Sequence, residues 1–188
     1  MIISEFLSEV FKNETLVYNE FNPDFSIKKS VTKPIKFHFG DQLELNKWLV
    51  NRTSKDNYPL VWYVISSYKK DSSDFINAFA RINLFTLTKQ EYYNNERQLV
   101  NYKEILSPLF LLVYEKLVTS NFCNAFDFDI LDVPNYGVKF DLQNSNQNSD
   151  FNSVDKKGTM AIAPDILDAK IINFKIKLNY NKFLNCKQ

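Results

Sequence analysis

The chain has 188 residues, of which 45% are hydrophobic and 24% charged, as is typical of one soluble globular domain. Its net charge is +1 and its lysines occur at most in pairs, which argues against duplex DNA as a primary partner. The two cysteines, Cys123 and Cys186, lie far apart with no neighbouring histidine, which argues against a disulfide framework or a zinc motif.

The N-terminal segment predicts a short amphipathic helix, because its apolar side chains recur at helical spacing. These side chains are Ile2, Ile3, Phe6, Leu7, Val10 and Phe11. The same segment lacks a basic region and a cleavage site, so we expect no signal peptide. Residues 13–30 show no sustained periodicity and are interpreted as an extended connection.

A strand and a second helix are predicted next. Residues 32–40 alternate apolar and polar side chains, which predicts a strand that ends at Gly40. Asp41 and Glu44 form a capping-box pattern, which predicts the start of a helix. The side chains expected on its inner face are Leu45, Trp48 and Leu49.

Two paired strands are predicted in the middle of the chain. Residues 60–66 are nearly all apolar, which is typical of a strand covered on both faces. Residues 75–88 alternate in polarity and follow after a short polar turn. We therefore expect them to form the antiparallel partner of residues 60–66.

A long helix is predicted from Asn94 or Asn95 to about Ser120. Its apolar stripe consists of Leu99, Tyr102, Ile105, Leu106, Leu109, Leu112, Val113 and Leu117. An asparagine at its start can cap the helix, and Glu96 lies in the first turn, where the helix dipole favours a negative charge. Pro108 removes one backbone donor and should kink the helix or start a second segment.

The C-terminal part is predicted to contain a strand at 136–142, a polar loop insertion at about 141–164 and a closing strand. The apolar face of the closing strand comprises Ile172, Phe174, Ile176, Leu178 and Tyr180. The predicted fold class is therefore α+β, a mostly antiparallel sheet with helices packed on it, in a single domain over residues 1–188.

The sequence contains no convincing catalytic set. His38 lies on an alternating strand and is interpreted as a polar surface residue. Asp127 and Asp129 are spaced to share one face of a strand and could bind a divalent cation or act as acid and base, but a third ligand is lacking nearby. Asp165 and Asp168 are interpreted as loop and strand-start residues. We therefore expect a protein that is not an enzyme, with no catalytic residue, no metal and no cofactor.

Three segments, residues 58–65, 82–117 and 165–178, together resemble neck and tail-completion proteins of tailed bacteriophages, as found in Bacteroidetes-infecting and crAss-like phages. The resemblance covers roughly half of the chain and consists of hydrophobic spacing with a few fixed polar positions. The matching residues are Glu96, Arg97, Tyr102, Ile105, Leu106, Pro108, Leu109, Asp165, Leu167, Asp168 and Ala169.

This resemblance implies a tail-terminator-like domain and a structural virion protein. Such a subunit forms a homo-oligomeric ring that joins the head connector to the tail or caps the tail tube. Its implied partners are other phage neck, connector or tail-tube proteins, and genomic DNA passes through the ring without specific recognition. The implied localisation is the virion, assembled in the host cytoplasm and without a membrane.

Three residues are expected at subunit interfaces. In a ring, Glu96 and Arg97 would form an exposed charge pair at a helix start, which can lie at a subunit boundary. Phe151, in the polar loop, is expected to anchor into an adjacent chain. Two other interpretations stay open: a non-viral α+β adaptor or binding module, and an enzyme that uses Asp127 and Asp129 or His38.

Overall fold

The computed structural model describes residues 3–51, 57–70, 75–89, 92–119, 123–136 and 166–179. Within these ranges, helices and strands follow one another in a mixed order along the chain. They are α1 (Ile3–Phe11), β1 (Thr15–Phe21), β2 (Ile27–Pro34), β3 (Lys36–Gly40), α2 (Gln42–Asn51), β4 (Leu60–Lys70), β5 (Phe75–Leu87), α3 (Asn94–Arg97), a π-helical segment (Gln98–Leu106), α4 (Ser107–Val118), β6 (Cys123–Tyr136) and β7 (Leu167–Asn179).

Five strands form one sheet in the order β3-β4-β5-β7-β6, and β1 and β2 form a separate hairpin. β3 runs parallel to β4, whereas the other neighbouring strands are antiparallel. The predicted α+β fold with a mostly antiparallel sheet is therefore confirmed. The predicted pairing of residues 60–66 with 75–88 is also confirmed, since Leu60 lies opposite Phe85. None of the helices in the described ranges is long and apolar enough to cross a bilayer.

Helices cover both faces of the sheet. On one face, α1, the π-helical segment and α4 share a core with Val61, Tyr63 and Ile172. On the other face, α2 shares a core with Leu60 and Trp62. Because successive side chains of a strand point to opposite faces, β4 buries residues on both sides. This two-sided burial explains its nearly continuous apolar sequence.

The first two helices follow the sequence prediction. α1 buries Ile3, Leu7 and Phe11, which lie on one side of the helix. At the start of α2, the Glu44 N–H donates to Asp41 Oδ1 at 2.7 Å, and the Asp41 N–H donates to Glu44 Oε2 at 2.8 Å. These reciprocal bonds satisfy two donors that a helix start otherwise leaves open, so the predicted capping box is confirmed.

The prediction of an extended connection over residues 13–30 is wrong, because this region forms the β1–β2 hairpin. Its turn is closed by hydrogen bonds from the Asn22 N–H to the Ser26 carbonyl and from the Phe25 N–H to the Asn22 carbonyl, each 2.9 Å long. The turn places Phe25 in the left-handed region at φ 61°. Leu16 is the one buried residue of the hairpin strands. The pattern was missed because β2 is exposed on both faces and β1 buries only Leu16, so the hairpin lacks a sustained apolar period.

The long helix runs without a break from Asn94 to Val118 and is π-helical in its middle part. The Ser107 N–H donates to the Tyr102 carbonyl, five residues back, which is the wide π-helical spacing. α4 follows directly with Pro108 in its first turn, and Leu106 and Ser107 both have right-handed helical backbone angles. The helical spacing therefore changes next to Pro108, but no separate helix starts there. The predicted asparagine cap is wrong, because Tyr93 holds the cap position without a side-chain hydrogen bond.

The C-terminal strands differ in part from the prediction. β6 lies upstream of the predicted strand at 136–142, of which Tyr136 alone is described. The closing strand is confirmed as β7, with Ile172, Phe174 and Ile176 buried. The predicted loop insertion at about 141–164, including Phe151, lies outside the described residues.

Candidate functional site

A dense group of polar side chains lies inside the molecule at the start of β7. Arg97 at the end of α3, Asn101 in the π-helical segment and Asp168 on β7 are 4%, 2% and 0% exposed. We call these three residues the Asp168 cluster. They meet because the π-helical segment packs against both β5 and β7.

Asp168 accepts three hydrogen bonds, which together satisfy both of its carboxylate oxygens. Arg97 Nη1 lies 2.5 Å from Oδ1, and the Asn135 backbone N–H donates to the same oxygen at 3.0 Å. Asn101 Nδ2 donates to Oδ2 at 2.6 Å. A carboxylate that is withdrawn from water needs this number of donors, because its desolvation costs several kcal/mol.

Arg97 uses its remaining donors on the chain between β5 and α3. Its Nε donates to the Tyr92 carbonyl at 3.0 Å and its Nη2 donates to the Lys89 carbonyl at 3.3 Å. The guanidinium therefore ties this connection to Asp168 on β7. The expectation that Arg97 is an exposed charge at a helix start is wrong, since an ion pair inside the chain occupies its side chain.

The end of β6 is shaped to reach the cluster. β6 bulges between Val133 and Tyr136, and Asn135 adopts the left-handed region at φ 51°. Asparagine tolerates this region better than most residues, because its short polar side chain can bond locally. The conformation aims the Asn135 N–H at Asp168 Oδ1. The bulge thereby connects the end of β6 to the Asp168 carboxylate, which lies near the start of β7.

A second set of polar residues lies beside the cluster. Lys170 Nζ donates to Asp132 Oδ1 at 2.6 Å and stands 5.7 Å from the centre of the Tyr102 ring. The Tyr102 hydroxyl lies 3.5 Å from the Ala169 carbonyl. Burial raises the pKa of Tyr102 far above its ordinary value, and the negative charges of Asp168 and Asp132 raise it further. Tyr102 therefore holds its hydroxyl proton more firmly than an exposed tyrosine does.

A cleft of about 450 Å³ opens next to the cluster, between the hairpin and the helical segment. Thr88 and Asn101 form part of its wall, and the Asn101 amide donates to Thr88 Oγ1 at 2.8 Å. The hairpin contributes Tyr18, Glu20 and Lys33. The cleft thus combines polar groups of both charge signs with apolar surface from the helical segment.

Glu96 lies in the first turn of α3, as predicted, and is half-buried. Its Oε2 atom is buried and has no hydrogen-bond partner in the described part of the chain. The helix dipole favours an acidic side chain at this position. Its role at a subunit interface stays a prediction, as does that of Phe151.

The other candidate residues lie apart from the cluster. His38 is exposed on β3, with its ring centre 5.1 Å from that of Trp48, so the prediction of a surface histidine is confirmed. The rings of Trp48 and Trp62 cover part of the imidazole, and this partial loss of solvent lowers its pKa, which the charge of Lys36 lowers further. Asp127 and Asp129 share one face of β6, as predicted, and both are exposed. Within the described ranges, no three histidine, cysteine or acidic side chains group to hold a metal ion.

Sequence reasoning marked Arg97 and Asp168 but missed Asn101, Thr88 and Asn135. One signal was available for Asn101, which follows Arg97 by four residues and so lies on the same side of a helix. For Asp168, the signal was its inward position in an alternating strand, two residues before Lys170 and four before Ile172. The contacts to Asp168 join residues 33 to 71 positions apart, which a single sequence does not reveal.

The Asp168 cluster holds chain segments together, since its charges neutralise one another inside the protein. No family model matches the chain, and no curated protein shows significant sequence similarity to it.

Proposed function

We propose that the chain is a structural virion protein, a ring-forming subunit of the neck or tail of a tailed bacteriophage. In this role it acts as a tail terminator or as a head-to-tail connector ring. It binds copies of itself and neighbouring neck, connector or tail-tube proteins, while genomic DNA passes through the ring. The starting point is the sequence resemblance carried by residues 58–65, 82–117 and 165–178.

The fixed polar residues of that resemblance support a structural role. Arg97 belongs to its helical segment and Asp168 to its closing strand, and the two form a buried ion pair across 71 positions of sequence. Tyr102 and Ala169, which also belong to the resemblance, lie within hydrogen-bonding distance of each other. These residues join the helix to the sheet. A subunit that must keep its shape within an assembled particle needs such connections.

The observation that carries the proposal is the outer edge of β6. This strand has 14 residues and lies at the end of the sheet, and no described strand pairs with its outer side. Ile130 and Leu131 on it are 42% and 55% exposed. Proteins usually cover or blunt an edge of this length, because its free N–H and C=O groups invite pairing with another chain. Contact with a second copy provides such a cover.

Negative-stain electron microscopy of the purified protein tests the proposal. We expect closed rings of uniform diameter with a central opening. The matched control is the variant Asp168→Ala, in which loss of the buried ion pair should reduce the number of rings because fewer subunits are folded. A field that contains only small, single-subunit particles at every protein concentration would contradict the proposal.

The alternative, a non-viral α+β adaptor or binding module, is favoured by one observation, the cleft beside the hairpin. Its volume of about 450 Å³ falls within the range of small-ligand sites. A fragment screen by protein NMR would detect such a site through shifts of Thr88 and Asn101. Specific binding there by a monomeric protein would favour the alternative over the ring.

A further inference from the structure

Besides β6 and β3, the two end strands of the sheet, the hairpin presents an open edge on β2. Its other strand, β1, is covered, since the Asn19 N–H donates to Glu104 Oε2 at 3.2 Å and β1 packs against the π-helical segment. β2 pairs with β1 on its inner side, and no described strand lies on its outer side. Along its eight residues, every side chain is exposed or half-buried.

The open edges of β6 and β2 carry opposite charges. β6 contains three aspartates and no basic residue, namely Asp127, Asp129 and Asp132. β2 contains three lysines and no acidic residue, namely Lys28, Lys29 and Lys33. Each edge therefore repels a second copy of itself, because like charges on facing strands destabilise their pairing. Opposite charges on facing strands stabilise pairing, so each edge attracts the other.

Partners within the subunit leave much of this charge available. Asp132 is engaged by Lys170, but Asp127 and Asp129 are exposed and form no ion pair in the described chain. Lys175 lies opposite Asp127 on β7. Its ammonium group, however, lies 5.7 Å from the centre of the Phe79 ring on β5, the strand on the other side of β7.

On the hairpin, Lys29 forms an ion pair of 3.5 Å with Glu20, in which both side chains are exposed. Exposed pairs of this kind contribute little and exchange partners readily. Lys28 is exposed as well. Both lysines therefore remain accessible to an incoming acidic strand.

We propose that β6 of one copy adds to the outer edge of β2 in the next copy, so that the subunits join head to tail. This inference rests on the proposed ring function and names the contact that builds the ring. β6 and β3 lie at opposite ends of the sheet, with three strands between them. β2 precedes β3 by a single residue and so connects to the end of the sheet opposite β6. Each copy thus offers one acidic edge and one basic edge, and such a contact repeats until the ring closes.

The sequences of the two strands fit two antiparallel registers. Placing Leu131 opposite Ile27 puts Asp129 opposite Lys29, and placing Ile130 opposite Ile27 puts Asp129 opposite Lys28. Ile27, Leu131 and Ile130 are 63%, 55% and 42% exposed, so either register covers an apolar pair and forms an ion pair near it. Cross-strand pairs of both kinds stabilise sheets.

Charge reversal tests the contact with full-length protein. One variant carries Asp127→Lys and Asp129→Lys, and the other carries Lys28→Glu and Lys29→Glu. Alone, each variant presents two edges of the same sign and should stay monomeric by light scattering. Mixed in equal amounts, the two variants again offer opposite edges and should recover an assembly of wild-type size or larger. The control is Lys12→Glu with Lys47→Glu, which changes the net charge equally at two exposed positions and should assemble normally.

A carbodiimide cross-linker of zero length, which joins touching carboxylates and amines, should couple Lys28 or Lys29 of one copy to Asp129 of another. Mixing isotopically labelled and unlabelled protein identifies such a link as intermolecular. If wild-type protein assembles but both reversal variants assemble equally well, this contact is wrong while the ring proposal stands. If wild-type protein is monomeric at every concentration, the ring proposal fails and this inference with it.

Discussion

Arg97 and Asp168 are opposite charges held in the core, where either one alone would be costly. Their ion pair is worth little as a net gain, because both groups lose their hydration. The loss of one partner is nevertheless costly, because the other partner then stays charged and buried without its counter-ion. The pair therefore fixes the position of the helix start against β7, at residues that are 4% and 0% exposed.

Arg97→Ala and Asp168→Ala should each destabilise the protein by about 3–5 kcal/mol, because each leaves an uncompensated buried charge. Chemical denaturation of the purified variants measures this. The neighbouring variant Glu96→Ala is the control and should cost about 0.3–1 kcal/mol, the value of a helix-dipole interaction. Equal, small effects for Arg97 and Glu96 would mean that the ion pair does not form in solution.

His38 should titrate below its ordinary pKa of 6.5, because burial and Lys36 both disfavour its protonated form. Its contribution to stability is complete above the ordinary pKa and is lost as the pH falls, since the unfolded chain takes up the proton first. The chain has one histidine, so its NMR signals can be followed without ambiguity. Lys36→Gln should restore only part of the lowered His38 pKa, because loss of solvent at the ring is a larger cause of the shift than the charge of Lys36. A midpoint at or above 6.5 would contradict this assignment.

At the scale of elements, the helical stretch from α3 to α4 supplies much of the core on one face of the sheet. Most of its predicted apolar stripe is buried, while Leu99 and Leu112 are half-buried. The buried members are Tyr102, Ile105, Leu106, Leu109, Val113 and Leu117. The π-helical turns before Pro108 change the spacing of the stripe, so its two halves do not follow one uninterrupted period.

Leu106→Ala and Leu109→Ala should each cost about 2–5 kcal/mol, since both side chains are fully buried and their removal leaves a cavity. The control is Leu111→Ala on the same helix, where the side chain is 60% exposed and the change should stay within about 0.5 kcal/mol. Thermal melts of the three variants compare them directly. A larger loss at Leu111 than at Leu109 would show that the helix is rotated in solution.

Elements that bury one face or both could be predicted from sequence. The spacing of Leu7 and Phe11, the capping box of Asp41 and Glu44, and the alternation of β7 each report a local pattern. The hairpin was not predicted because β2 is exposed on both faces and β1 buries only Leu16, so neither strand carries such a pattern. Of the Asp168 cluster, the sequence marked Arg97 and Asp168 but not Asn101. Its members come from distant parts of the chain and meet only through the order of strands in the sheet.

At the scale of the whole molecule, the fold joins a firmly connected interior to open strand edges, of which β6 and β2 carry opposite charges. The Asp168 cluster connects α3, the π-helical segment, β6 and β7. By contrast, the outer sides of β6 and β2 carry exposed apolar residues and opposite charges. A subunit built in this way keeps its own shape while it offers different surfaces to two neighbours, which is what a head-to-tail ring needs.

The mass of the purified wild-type protein in solution, measured by native mass spectrometry over a range of concentrations, tests the ring most directly. We expect one dominant oligomer whose mass is a whole multiple of the 22.1 kDa subunit and whose subunit number does not change with concentration. A closed ring has this property because no open contact remains to add further copies. A protein that stays at 22.1 kDa throughout, or that grows without limit as its concentration rises, would contradict the proposal.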